Sequence, residues 1–149
     1  MDICELLNNL DKIQELICGK KEERKQLIEE RERLIALATD TSAKMPDGMP
    51  FTDTGIVSKK VENATIAKIA VENSIKDIDD AITQYINVKN TVIKALEQLP
   101  AKQYAVCHRY FIRHMTYEQI AEDLNCSTVT VWRIKEKAMK NLKEIFKCN

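Results

Sequence analysis

Chain breakers are what this sequence has least of: its 149 residues hold three glycines and three prolines. Charged residues make up 31%, and so few breakers among so many Glu, Lys, Ile and Leu residues favour long helices over a sheet. No apolar run reaches the length that spans a bilayer, so no membrane partner is expected. The five cysteines, Cys4, Cys18, Cys107, Cys126 and Cys148, form no C-x-x-C pair, and His108 and His114 do not stand with them at zinc-ligand spacing. An odd cysteine count without a signal peptide suits a reducing cytosol. The thiols are therefore expected to be plain, and the Asn63-Ala64-Thr65 and Asn125-Cys126-Ser127 sequons incidental. A Gly-rich phosphate loop, a supported Ser-His-Asp arrangement and a carboxylate cluster set apart from the general charge mixture are all missing. Catalysis, a metal and a cofactor are not expected.

Net charge is also lacking: 23 Lys and Arg balance 23 Asp and Glu. Taken alone, that balance argues against a nucleic-acid partner. It conceals an asymmetry, because residues 99–149 hold nine Lys and Arg against five Asp and Glu. The C-terminal part is cationic and the rest anionic.

What is present is hydrophobic periodicity. Ile3, Leu6, Leu10, Ile13 and Ile17 recur at three- and four-residue steps, and the same seam is then occupied by Lys20, Arg24 and Arg31 with Leu27 and Leu34 between them. This predicts a helix over residues 1–38, whose block 20–33, dense in both signs, reads as a solvated face. From 39 to 57 the periodicity stops and Met45-Pro46-Asp47-Gly48-Met49-Pro50 and Gly55 gather in a connecting loop, longer than two packed helices need. The methionines and Phe51 make a docking role for that loop conceivable. From 58 to 99, Val71, Ile75, Ile78, Ile82, Tyr85, Lys89, Val92, Leu96 and Leu99 alternate four and three steps. That seam predicts a helix of about forty residues, roughly 60 Å long, folding back antiparallel on the first. Ile66, Ile69, Ile86 and Ile93 widen its apolar face beyond what one partner helix covers, which points to a homodimer through these helices.

Leu99-Pro100 is the expected domain boundary. Pro100 ends or kinks the long helix and suits the start of the next, over 101–113, which would turn Tyr104, Val106, Cys107, Tyr110 and Phe111 toward a core. Thr116-Tyr117-Glu118-Gln119 is a T-x-x-Q capping box opening a helix at Tyr117. Ile120 and Leu124 form its apolar side, small Ala121 permits close approach of another helix, and Asn125 tolerates the left-handed conformation that leaves it. Ser127 then caps a helix whose Val131, Ile134, Ala138, Leu142 and Ile145 form one narrow stripe, with Val129, Arg133 and Lys140 opposite and Trp132 and Lys143 flanking. Apolar behind and cationic in front suits a core on one side and phosphates on the other. The fold class expected is all-α: a long antiparallel helical hairpin over 1–98, then a small three-helix helix-turn-helix domain over 99–149.

These residues carry a resemblance. Leu99-Pro100, Arg109-Tyr110, residues 116–121, Leu124, Ser127, Val131 and Ala138-Met139 stand in the order and spacing of region 4 of sigma-70 family factors. Residues 45–48 (MPDG) and 60–64 (KVENA) make the preceding part similar to small phage-encoded regulators of the ArpU type. The resemblance implies a transcription regulator in the cytoplasm of a bacterial host, bound to double-stranded DNA through helix 128–147, with RNA polymerase as a further candidate partner. It puts Thr128, Val129, Trp132 and Arg133 at base-reading positions. The charged readers of the housekeeping pattern are replaced here by Thr128, Val129 and Trp132, so the preferred site should differ and lean toward A·T pairs. Arg133 can still reach a guanine. Arg109, Thr116, Tyr117, Lys135, Lys137 and Lys140 complete the candidate DNA-binding set, mainly as phosphate contacts, while the ordinary alternative for Trp132 is packing beside the core. Two other readings stay open at this point. One is a phage terminase small subunit-like packaging protein; the other is a protein that binds polymerase or a sigma factor without gripping DNA.

Overall fold

The computed structural model describes residues 2–40 and 54–147, and among these every regular element is helical. In chain order they are α1 (Ile3–Asn8), α2 (Leu10–Asp40), α3 (Thr54–Glu97), α4 (Ala101–Cys107), a π turn (His108–Ile112), α5 (Tyr117–Asp123) and α6 (Thr128–Lys147). A long helical region thus precedes a small helical C-terminal domain, as the periodicity predicts. The expected docking stretch with its methionines and Phe51 lies outside the described residues.

Three boundaries differ from the expectation. α3 begins at Thr54, within the stretch read as loop. The first helix is interrupted at Asn9, whose φ of −103° and ψ of 10° close α1. Asn8 and Asn9 are weak helix formers, yet the ladder is hardly broken: the Asn9 amide donates to the Glu5 carbonyl at 3.0 Å and Ile13 donates to Asn9 at 2.9 Å. The helix after Pro100 widens into a π turn, closed by the Arg113 amide on the His108 carbonyl at 3.2 Å. The wider turn lets two consecutive rings serve the interior. Phe111 is buried, and Tyr110 packs beside it edge to face at 4.9 Å. His114, with φ of 53°, then ends the segment in the left-handed region, and the Met115 amide reaches back to the Arg109 carbonyl at 3.0 Å.

By contacts the chain falls into two units, Met1–Leu16 with Tyr85–Asn149, and Ile17–Gln84. The described residues of the second belong to the long helices α2 and α3 alone. Ile17, Ile75, Ile78 and Ile82 are buried there, and Arg24 donates to the Asp79 carboxylate across the pair. Along the seam Leu27 and Leu34 are only half-buried, and Arg31 carries a buried Nε with no hydrogen-bond partner among the described residues. Leu37 is 63% exposed and Ile66 60%.

The first unit holds the C-terminal helices. Val106, Ile120, Ala121 and Val131 form its centre, with Tyr110, Met115, Tyr117, Leu124, Cys126 and Ile134 packed around them. Ala121, having only a methyl group, lets α5 and α6 meet closely. α1 packs on α6, and Ile3, Leu7, Val92, Leu96, Ala138 and Leu142 are all essentially withdrawn from water. Each of these Ile, Leu and Val side chains contributes about 1.5–3 kcal/mol of burial. Polar contacts fasten the N-terminal residues further: Lys89 donates to Gln14 at 2.6 Å, and Asp11 meets the His114 Nε2 at 3.1 Å.

Candidate nucleic-acid interface

Two short-range devices set the turn between α5 and α6. Thr116 and Gln119 make both bonds of the capping box: the Gln119 amide donates to Thr116 Oγ1 at 3.3 Å, and the Thr116 amide donates to Gln119 Oε1 at 2.9 Å. At the other end of α5, Asn125 takes φ of 50° and the Cys126 amide donates to the Ala121 carbonyl at 2.9 Å. Ser127 then caps α6, its hydroxyl accepting from the Thr130 amide at 3.2 Å. Each of these positions is readable in the sequence, and together they fix the angle at which α6 leaves the turn.

Seated by Val131, Ala138 and Leu142, α6 turns its other side outward. Thr128, Val129, Trp132, Arg133, Lys137 and Lys140 are all exposed there. Val129 is 55% and Trp132 52% exposed. Trp132 therefore stands outside the core, against the ordinary expectation for a lone tryptophan beside an apolar stripe. Arg133, Lys137 and Lys140 have no ion-pair partner among the described residues, although Glu136 and Glu144 share their exposed surface. Over its whole length α6 holds six Lys and Arg against two Glu.

The remaining expected contacts are engaged within the domain. Arg109 is ion-paired with Asp123 and donates from Nη1 to the Ala105 carbonyl at 3.2 Å. The Thr116 hydroxyl oxygen accepts the capping bond from the Gln119 amide. Lys135 is half-buried: its Nζ lies 4.0 Å from the centre of the Tyr110 ring and donates to the Tyr117 hydroxyl at 2.8 Å. Burial works against its charge, but the bond to Tyr117 and the neighbouring phenol groups outweigh this and raise its pKa, so Lys135 is protonated at neutral pH. Nearby, burial pushes the Cys107 thiol up to about 11, with Lys135 pulling the other way, and the thiol stays protonated and unreactive. Sequence reasoning missed the Tyr110-Tyr117-Lys135 stack. A signal was available, because Lys135 stands four residues after Val131 and three before Ala138, inside the spacing of the apolar stripe.

Capped helix, left-handed turn and outward cationic helix are thus all in place. Residues 95–144 match the family model described as Sigma-70, region 4. The C-terminal part is a sigma-70 region 4-like helix-turn-helix, and the match covers about a third of the chain. No curated protein and no solved structure matches. The matched stretch of the region 4-like domain begins in the last turn of α3 and ends within the last turn of α6, so it takes in both helices of the turn and the π segment before them. Among the described residues no group of His, Cys, Asp and Glu could hold a metal ion, and no helix is long and apolar enough to cross a membrane.

Proposed function

We propose that this chain is a sequence-specific DNA-binding transcription regulator of phage or prophage genes, acting in the bacterial cytoplasm and catalysing no reaction. The observation that carries the reading is the outward side of α6, where Arg133, Lys137 and Lys140 stand exposed behind the base-facing candidates Thr128, Val129 and Trp132. In this reading α6 enters a major groove, Arg133 reaches a base edge, and Lys137 and Lys140 bind phosphates. Residues 99–149 serve as the DNA-binding domain and 1–98 as a helical arm through which two copies associate, the exposed Ile66 and Ile69 lying on the surface that a second copy would cover. A dimer would prefer paired half-sites at a spacing set by the arm. Similarity of residues 45–48 and 60–64 to ArpU-type regulators supports the phage assignment.

The test is retention of fragments from the gene neighbourhood at several salt concentrations, with the mass of the complex measured alongside. One preferred fragment, held by a dimer and released steeply as salt rises, is the expected result. Changing Arg133, Lys137 and Lys140 together to glutamate should abolish it. A ring of many copies would instead favour the packaging-protein reading. The exposed apolar pair Val129 and Trp132 favours a second reading in which this surface meets RNA polymerase. That contact would survive the triple charge reversal.

A further inference from the structure

Among the cationic side chains of α6, Lys135 is set apart by its surroundings. Arg133, Lys137 and Lys140 extend into solvent, whereas the Lys135 ammonium is lodged against three rings. It lies 4.0 Å from the centre of Tyr110, 5.4 Å from that of Tyr117 and 5.8 Å from that of Phe111. Tyr110 and Tyr117 stack on each other at 5.3 Å with their planes 15° apart, so neither ring is free to swing away. An ammonium has three N–H donors and no acceptor. In its 2.8 Å bond to Tyr117 the phenol oxygen must therefore accept, and the phenol proton must lead away from the cation.

This leaves Tyr117 as an oriented, polarised O–H donor, since the adjoining positive charge draws electron density from its oxygen. The natural partner for such a donor is an anionic oxygen. The capping box beside it uses Thr116 Oγ1 and Gln119 Oε1 as acceptors, so the Tyr117 hydroxyl is the donor at this end of α5 that a neighbouring cation polarises. Lys135 also shares a flank of α6 with Thr128 and Trp132, seven and three residues before it. In the DNA-binding reading, a duplex strand along that flank would pass Lys135 and with it the Tyr117 hydroxyl bonded to it.

We propose that Lys135 is a positioning residue for DNA binding: it holds the Tyr117 hydroxyl as a donor to a backbone phosphate oxygen and does not itself bind the phosphate. The assignment rests on the DNA-binding reading above, and it moves Lys135 out of the set of direct phosphate contacts.

The experiment measures the affinity of the full chain for a retained duplex at several salt concentrations. It compares the parent with Tyr117→Phe, Lys135→Met, the double variant and Arg133→Ala. Tyr117→Phe keeps the ring stack, and thermal melting checks that each variant is folded. Tyr117→Phe and Lys135→Met should each weaken binding about 5–20-fold, and the double variant should be no weaker than the weaker single. The salt dependence of Tyr117→Phe and Lys135→Met should stay near that of the parent, while Arg133→Ala lowers the log-log slope by about one. The proposal is overturned if Tyr117→Phe binds like the parent. It is equally overturned if Lys135→Met weakens binding by its full factor in the Tyr117→Phe background, or lowers the slope as Arg133→Ala does. A parent chain that holds no duplex even at low salt sinks the DNA-binding reading itself, and the proposal goes with it.

Discussion

The unit that contains the region 4-like domain and the unit whose described residues belong to the long helices alone are built from the same few residue types, yet they are packed by different means. In the first, side chains from α1, α3, α4, α5 and α6 converge, and Val92, Val106, Ile120, Val131 and Leu142 reach zero exposure. In the second, each seam residue meets one neighbouring helix only, and Ile75, Ile78 and Ile82 keep 7–9% exposure. Periodicity, then, does not measure packing. The most regular heptad pattern in the sequence belongs in part to the unit with the less complete core, because a two-helix seam has an open edge however regular it is.

The comparison can be broken most directly in the two cores. Leu142→Ala should destabilise the first unit by about 2–5 kcal/mol, since the surrounding helices cannot collapse into the space it leaves. Ile78→Ala should cost clearly less, nearer 2 kcal/mol, because water already reaches the edge of its seam. Chemical denaturation of both variants decides this, and equal losses would remove the distinction drawn here. At the next level, Thr116→Ala should cost about 1 kcal/mol by deleting the cap of α5. The loss should be followed by a drop in the melting temperature. The smallest change expected is a gain: Arg31→Met keeps the aliphatic stem and removes a buried nitrogen that has no partner among the described residues, so the long helices should gain up to about 1 kcal/mol. A loss on that substitution would mean that the guanidinium contributes more through its charge than its burial costs.

Local chemistry was the legible part of this protein. Thr116, Gln119, Asn125 and Ser127 act over three or four residues, and their bonds follow from residue type and spacing alone. The all-α class and the apolar stripe of α6 follow likewise from composition and period. What the sequence concealed depends on distant partners. Trp132 appears beside a stripe on a helical projection, but whether anything covers it depends on where α4 and α5 lie. Arg109 looks like a free cation until the chain brings Asp123 to it, and Lys135 looks like its neighbours until the π turn turns Tyr110 beneath it. The π turn itself shows in the sequence only as two consecutive rings, Tyr110 and Phe111, a pair that a regular helix can also carry.

The packing of α1 on α6 bears on the order in which this protein can complete itself. Asp11 and His114 are separated by 103 positions, and Ile3 and Leu7 join a core whose other wall is α6. On the ribosome those early residues emerge long before their counterpart exists. They must wait, apolar and uncovered, until α6 has been made, and the loop they then close is a long one. Pairing inside the same unit shortens that search, because once Lys89 has met Gln14, α1 is held close to the segment it will cover.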